Sequence, residues 1–245
     1  MHLAEAIDKI HRAEASKFLT ALPDRCIDLI VTSPPYWEPH AYGSSKRLGA
    51  EESWSEYVDN LMLLSLELQR VIKARGSYYL VIGDSSFNDE RLGLPFRVRF
   101  ALNETGWLSV EDIIWRKQER ETPGSRRKFM SIHDFVFHFA VSRRYYSSPM
   151  AKAEFLAGDV WDLSDATAFR GKTHAAYPEE MCVKVILCSS PPGGIVLDPM
   201  CGTGTTCLVA KRLGRHFIGV DFSQENCRLA RQRLMHNSSA QEQMI

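Results

Sequence analysis

The chain is 245 residues long and 44% hydrophobic, enough for one sizeable core in a single α/β domain or in two small ones. Its 30 basic residues balance 30 acidic ones, so global charge drives it to neither nucleic acid nor membrane, and any anionic partner must be met by a local patch. No span reaches ~18 apolar residues, and the start, Met1-His2-Leu3-Ala4-Glu5-Ala6, has no signal-peptide core, so a soluble cytoplasmic protein is expected.

A short strand is expected near residues 7–11. The apolar run Ile27-Asp28-Leu29-Ile30-Val31-Thr32 then reads as a buried strand, and Ser33-Pro34-Pro35-Tyr36 as the rigid turn leaving it. A loop over 38–53 carries His40, Tyr42, Lys46 and Arg47 and could close over a ligand held at that turn, or equally be a mobile surface loop. Next come a helix over 54–74, a strand over 77–82, a helix over 95–105 and a strand over 108–115. Residues 118–130 read as a loop, with Pro123 and Gly124 in it. The strand at 134–140 has no clear helix before it, so it is expected to run antiparallel. After a loop at 147–158 come a helix (178–189), a strand (194–198), a helix (205–213), a strand (216–221) and a helix (223–236). The polar tail, 237–245, is expected to fray. Such alternation predicts one α/β domain with a mostly parallel seven-stranded sheet and helices on both faces. Its halves are 1–146 and 159–236, joined by the short segment 147–158.

The second half carries a glycine loop. Gly194-Ile195-Val196-Leu197-Asp198 ends in Pro199-Met200-Cys201-Gly202-Thr203-Gly204-Thr205-Thr206, which enters a helix; the next strand ends at Asp221, before Phe222 and Ser223. Glycines let a ligand approach the backbone, a helix start offers free N–H groups, and an acid about 20 residues on can bind ribose hydroxyls. Cys207 stands where the dinucleotide fingerprint has its third glycine. The same pattern also serves a tight strand-to-helix turn with no ligand. Asp198 weights the choice: a carboxylate there repels a pyrophosphate and could hold an ammonium group, which favours S-adenosylmethionine over NAD. Six cysteines and eight histidines show no metal-ligand spacing, so no metal is expected, and the thiols read as reduced and buried.

Thr32-Ser33-Pro34-Pro35-Tyr36-Trp37 resembles the catalytic motif of amino-group DNA methyltransferases, and Leu197 to Thr206 resembles their cofactor loop. The catalytic motif precedes the cofactor loop, the circularly permuted order of the β class. The likeness extends through Gly76 to Ser85, Asp112 to Lys117, Asp159-Val160-Trp161 and His174 to Pro178. It implies a Rossmann-like, S-adenosylmethionine-dependent methyltransferase fold. It also implies cofactor roles for Pro199, Met200, Cys201, Gly202, Gly204, Thr205, Asp221, Phe222 and Ser223, with His174, Tyr177 and Pro178 at the methionine end. Met200 stands where the family often has Phe, and Ala13-Glu14 where it has Gly-Asp, so Glu14 is the candidate for the adenine. The recognition region between Tyr146 and Asp159 is short.

An exocyclic amine is a poor nucleophile because its lone pair is delocalised into the ring. Acceptors on one side of the –NH₂ favour a pyramidal nitrogen, and the Ser33 side chain and Pro34 carbonyl are assigned that task, with Pro34 and Pro35 holding them in place. Tyr36 is expected to stack on the flipped base. Asp84, ending the neighbouring strand, either orients Ser33 or accepts from the amine, or else serves as a turn or helix-cap carboxylate. No Pro-Cys nucleophile stands beside the turn. Ser at position 33 resembles the cytosine-N4 enzymes more than the adenine-N6 ones, so N4 methylation of a flipped cytosine in double-stranded DNA is the expectation and adenine N6 the alternative. An inactive nucleic-acid-binding relative is a third reading. Arg116, Lys117, Arg120, Arg126, Arg127 and Lys128 against Glu119 and Glu121 form a basic loop suited to phosphates, or simply a solvated one. Arg143, Arg144, Tyr145 and Tyr146 are a weaker candidate. The expected setting is a prokaryotic or phage-type cytoplasm, with a cognate restriction endonuclease and a homodimer as further candidates for partners.

Overall fold

The computed structural model describes residues 1–38, 48–117, 129–155, 158–164 and 177–242, with side chains of the last helix described to 236. It opens with α1 (Leu3–Ala6), β1 (Lys9–Arg12), α2 (Ala15–Thr20), β2 (Ile27–Thr32), α3 (Trp54–Val71) and β3 (Ile72–Ile82). A small hairpin, β4 (Ser86–Phe87) and β5 (Glu90–Arg91), leads to α4 (Leu94–Glu104), β6 (Leu108–Lys117) and β7 (His133–Ala140). The second half holds α5 (Pro149–Glu154), β8 (Val160–Leu163), α6 (Glu179–Ser189), β9 (Ile195–Asp198), α7 (Thr205–Arg212), β10 (His216–Asp221) and α8 (Gln224–Glu242).

Among the described residues the main sheet has eight strands, ordered β1-β10-β9-β2-β3-β7-β6-β8, where seven were expected. The additional strand, β8, pairs in parallel with Ile114 to Lys117. It is an edge strand of only four residues, too short to announce itself. β7 lies antiparallel between β3 and β6, as its missing crossover helix predicts.

Helix α3 stops at Val71 because the chain entering β2 claims its last carbonyls: Arg25 N donates to Arg70 O and Cys26 N to Val71 O. β3 therefore starts at Ile72, ahead of the expected start at Ser77. Inside the expected loop 147–158, Ser148 accepts from Ala151 N and Pro149 starts α5. The tail predicted to fray continues α8 to Glu242.

Period-two alternation splits the core between the two faces of the sheet. Ile30, Tyr78, Leu80 and Phe137 meet α2, α3 and α4 on one face. Leu29, Val31, Tyr79 and Val136 meet α6, α7 and α8 on the other. From the centre, β9 leads to β10 on one side and β2 to β3 on the other, so strand order reverses between β2 and β9. Ligands of open parallel sheets bind outside the carboxyl ends of strands at such a point. The proline turn leaves β2 there and the glycine loop leaves β9 there.

Candidate active site

Ser33 is 9% exposed, and its Oγ is buried with no hydrogen-bond partner among the described residues. Nothing described donates to the Pro34 carbonyl either, whereas the Pro35 carbonyl accepts from Tyr57 OH at 3.0 Å. Trp37 anchors the exit of the turn: it is 3% exposed, donates from Nε1 to Glu51 O and meets Phe87 edge-on at 5.6 Å. Among the described residues, both acceptors proposed for an amine thus stand unclaimed on the turn. His40, Tyr42, Lys46 and Arg47 lie outside the described residues.

Tyr36 donates from its phenol to Asp134 Oδ2 at 2.9 Å, and Asp134 pairs with Lys117 Nζ. Burial, reinforced by the Asp134 charge, pushes the Tyr36 phenol well above its ordinary pKa, and the nearby Ser33 hydroxyl opposes that rise to a smaller extent. Lys117 corrects an expectation. With its side chain only 7% exposed, it neutralises Asp134 and offers nothing to a phosphate. Strand alternation is the reason, since Ile113, Trp115 and Lys117 are buried while Arg116 points outward. Arg116 is exposed but donates from Nε and Nη2 to the two carboxylate oxygens of Asp162 of β8. Arg120, Arg126, Arg127 and Lys128 lie outside the described residues. Arg143 and Arg144 follow the far end of β7, at the opposite sheet edge from the turn.

Asp84 takes the cap role. Its oxygens accept from Leu94 N at 2.9 Å, Gly93 N at 3.2 Å and Arg91 Nε at 2.9 Å, so it holds the start of α4 and the hairpin rather than Ser33.

Asp198 is 2% exposed, and four donors fill its oxygens. Thr32 Oγ1 and Met200 N bond to Oδ1 at 2.8 and 3.2 Å; Tyr177 OH and Thr206 Oγ1 bond to Oδ2, both at 2.8 Å. Burial wins over these bonds and raises its pKa to about 6. The expected ammonium contact finds no open lone pair here; the carboxylate ties β2, the approach to α6, α7 and the loop together. Tyr177 is 6% exposed and serves Asp198 and Thr206, which corrects its reading as a contact for the methionine end. Pro178 caps α6, and His174 lies outside the described residues.

Asp221 sits where the ribose acid was expected. It accepts from Gly202 N at 3.0 Å, Ser223 N at 2.8 Å and Asn226 Nδ2 at 3.2 Å, and burial raises its pKa. Three donors leave one of its acceptor positions open. Phe222 beside it is 45% exposed, and Ser223 starts α8 by accepting from Asn226 N. Glu14 follows β1 at the same edge, one residue past the Ala13 N bond to Asp221 O. Its carboxylate holds Lys17 at 2.7 Å and Ser16, which keep its pKa low. In the glycine loop, Gly202 has φ +51° and open space where a side chain would stand, while Gly204, at φ +81°, is the N-cap of α7 and leaves no room for a Cβ against Ala230. Thr205, at the first position of α7, bonds Arg233. Met200 packs on the core, as an apolar swap should. The missing third glycine is made good across the interface. Gly219 of β10 supplies the space, since a Cβ there would lie 2.7 Å from Cys207 Sγ and 3.1 Å from Cys201 Sγ.

A family model for DNA methylases, of the N6/N4 type, matches residues 27–232. The chain belongs to that DNA methylase family. The methylase is 28% identical to the Type II methyltransferase M.SmaI of Serratia marcescens, over 93% of this chain and 90% of that one. Its fold matches the PvuII DNA methyltransferase (cytosine-N4-specific) with a TM-score of 0.79 at 22% identity, covering 91% and 85% of the two chains. It also matches a Thermus thermophilus protein solved with S-adenosyl-L-methionine, with a TM-score of 0.72 at 24% identity and 93% of each chain. No helix among the described residues is long and apolar enough to cross a membrane.

Four residues of the methylase's site escaped the sequence reading: Thr32, Gly83, Asp134 and Thr206. Thr32 and Thr206 sat inside quoted motifs with no role assigned. Asp134 is the acid that opens a strand on the sheet edge where the turn lies, a signal that was available.

Proposed function

We propose that the methylase transfers a methyl group from S-adenosylmethionine to the N4 amine of a cytosine flipped out of double-stranded DNA. The observation that carries this reading is the buried hydroxyl of Ser33, beside the Pro34 carbonyl, both without a hydrogen-bond partner among the described residues. A buried polar atom without a partner is costly, and an amine entering the turn supplies the missing donor. Accepting both amine hydrogens from one side draws the nitrogen towards a pyramidal shape and frees its lone pair. The Tyr36 phenol stays neutral at assay pH, and its anchored ring offers a face for stacking.

The residues present fit the cofactor. The open side of Gly202 admits it to the backbone, Asp221 keeps an acceptor for a ribose hydroxyl, and the buried Asp198 charge favours a cation nearby. Phe222 and Glu14 lie at the same edge for the adenine. Bound there, S-adenosylmethionine supplies an electrophilic methyl on a cationic sulfur. The solved Thermus thermophilus protein carries this molecule, and the PvuII enzyme is named for cytosine N4; both support the reading. Likeness to Type II methyltransferases also makes a companion restriction endonuclease the expected partner.

Mass spectrometry of nucleosides from DNA incubated with the protein and cofactor is expected to show N4-methylcytosine. N6-methyladenine as the only product would replace cytosine by adenine, and no methylated base would leave a binding protein without turnover.

Arg120, Arg126, Arg127 and Lys128 remain the candidates for phosphate binding. Changing Arg126 and Arg127 together to Ala is expected to flatten the slope of log K against log salt by about 2, near 0.9 for each phosphate no longer neutralised. An unaltered slope in a filter-binding titration removes that role.

A further inference from the structure

Tyr36, Asp134 and Lys117 form a buried strut across three strand ends. Tyr36 follows β2, Asp134 is the second residue of β7 and Lys117 is the last of β6. The phenol donates to Asp134 Oδ2 at 2.9 Å, and Lys117 Nζ lies 2.5 Å from the same oxygen. The side chains of Asp134 and Lys117 are 9% and 7% exposed. Gly83, at the end of β3, leaves the room: a Cβ there would stand 2.6 Å from Asp134 Oδ1 and 2.7 Å from Tyr36 Cε2. The strut therefore has a slot cut for it in the neighbouring strand.

Stability does not account for this arrangement. An ion pair taken out of water gains little over apolar side chains of the same shape. Its product is a fixed position for one aromatic ring. The phenol is tied to a carboxylate that a lysine holds in turn, so the ring cannot swing when DNA arrives. Placement that precedes binding lowers the cost of reaching a reactive geometry.

We propose that Asp134 and Lys117 are positioning residues that hold the Tyr36 ring in place for the flipped base. This rests on the reading of Tyr36 as the stacking residue of a DNA methyltransferase. Neither residue is assigned to touch the base or the cofactor; both act through Tyr36.

The test is a double-mutant cycle on the full chain. The paired change Asp134→Leu with Lys117→Met removes the strut without leaving a lone buried charge, so the protein should fold with cofactor affinity within about twofold of the parent. Single-turnover methyl transfer is expected to fall about tenfold in the Tyr36 protein but less than about twofold in a Tyr36→Phe background, because the two changes remove one interaction. Asp134→Asn with Lys117→Met returns a neutral acceptor to the phenol and is expected to recover most of the rate. Equal losses in both backgrounds, no loss, or no recovery with Asn overturns the strut while leaving the methyltransferase reading intact. A parent protein that methylates no DNA ends both.

Discussion

Ser33→Ala is expected to lower single-turnover methyl transfer by about 100-fold or more, the scale found when one preorganised hydrogen-bonding group is removed from a reacting centre. The same change should leave cofactor affinity unaltered, since Ser33 belongs to the β2 turn and makes no hydrogen bond among the described residues. It should also raise the melting temperature slightly. Removing a buried hydroxyl that has no partner relieves a penalty of about 1 kcal/mol. Loss of activity with a gain in stability separates a catalytic acceptor from a structural one. Calorimetric cofactor binding, a thermal melt and a rapid-quench assay on one preparation check all three. Near-normal turnover would falsify the acceptor role.

Asp198→Asn is expected to make the free protein more stable at pH 8 and to weaken S-adenosylmethionine binding by about tenfold or more. Burial lifts the Asp198 pKa from 3.8 to about 6. Between those values the folded state holds a proton that the unfolded state has lost, so stability falls as pH rises through the window and stays low above it. The ionised carboxylate thus costs about 3 kcal/mol in the free protein, from roughly two pKa units at 1.36 kcal/mol each. Amide in place of carboxylate removes that cost and keeps an oxygen for Thr32, Tyr177 or Thr206. A cationic cofactor reverses the preference, because it favours the ionised form. In the parent protein cofactor affinity should therefore decline as pH drops through about 6, by up to about tenfold per unit, and in Asp198→Asn this dependence should flatten. Binding isotherms from about pH 5 to 8, spanning that pKa, check it; an identical pH profile in the two proteins sinks the electrostatic role.

The corrected residues share a physical reason. Lys117 and Asp84 are charged residues at strand ends next to the turn; on that ground the linear sequence assigns Lys117 to phosphate binding and leaves Asp84 between a catalytic role and a cap. Which way each points depends on strand register and on the elements that arrive beside it. The alternation of β6 turns Lys117 inward to Asp134, and the hairpin returning to α4 brings Arg91, Gly93 and Leu94 to Asp84. Tyr177 and Asp198 are 21 residues apart and become partners only when α6 packs against α7 and β2.

By itself, the amino-acid order determined the alternation of strands and helices, the antiparallel β7, the proline turn, the glycine loop and the family these motifs resemble. Those features are local: they rest on apolar periodicity, on the fixed φ of proline and on the permissive φ of glycine. Tertiary structure alone decided that Thr32 and Thr206 would share the Asp198 carboxylate, that Gly219 would stand in for a third loop glycine, that β8 would close the sheet edge, and that Gly83 would open a slot for Tyr36 and Asp134. Each of these joins residues far apart in the chain, and their contacts exist only once the sheet has set its strand order and register.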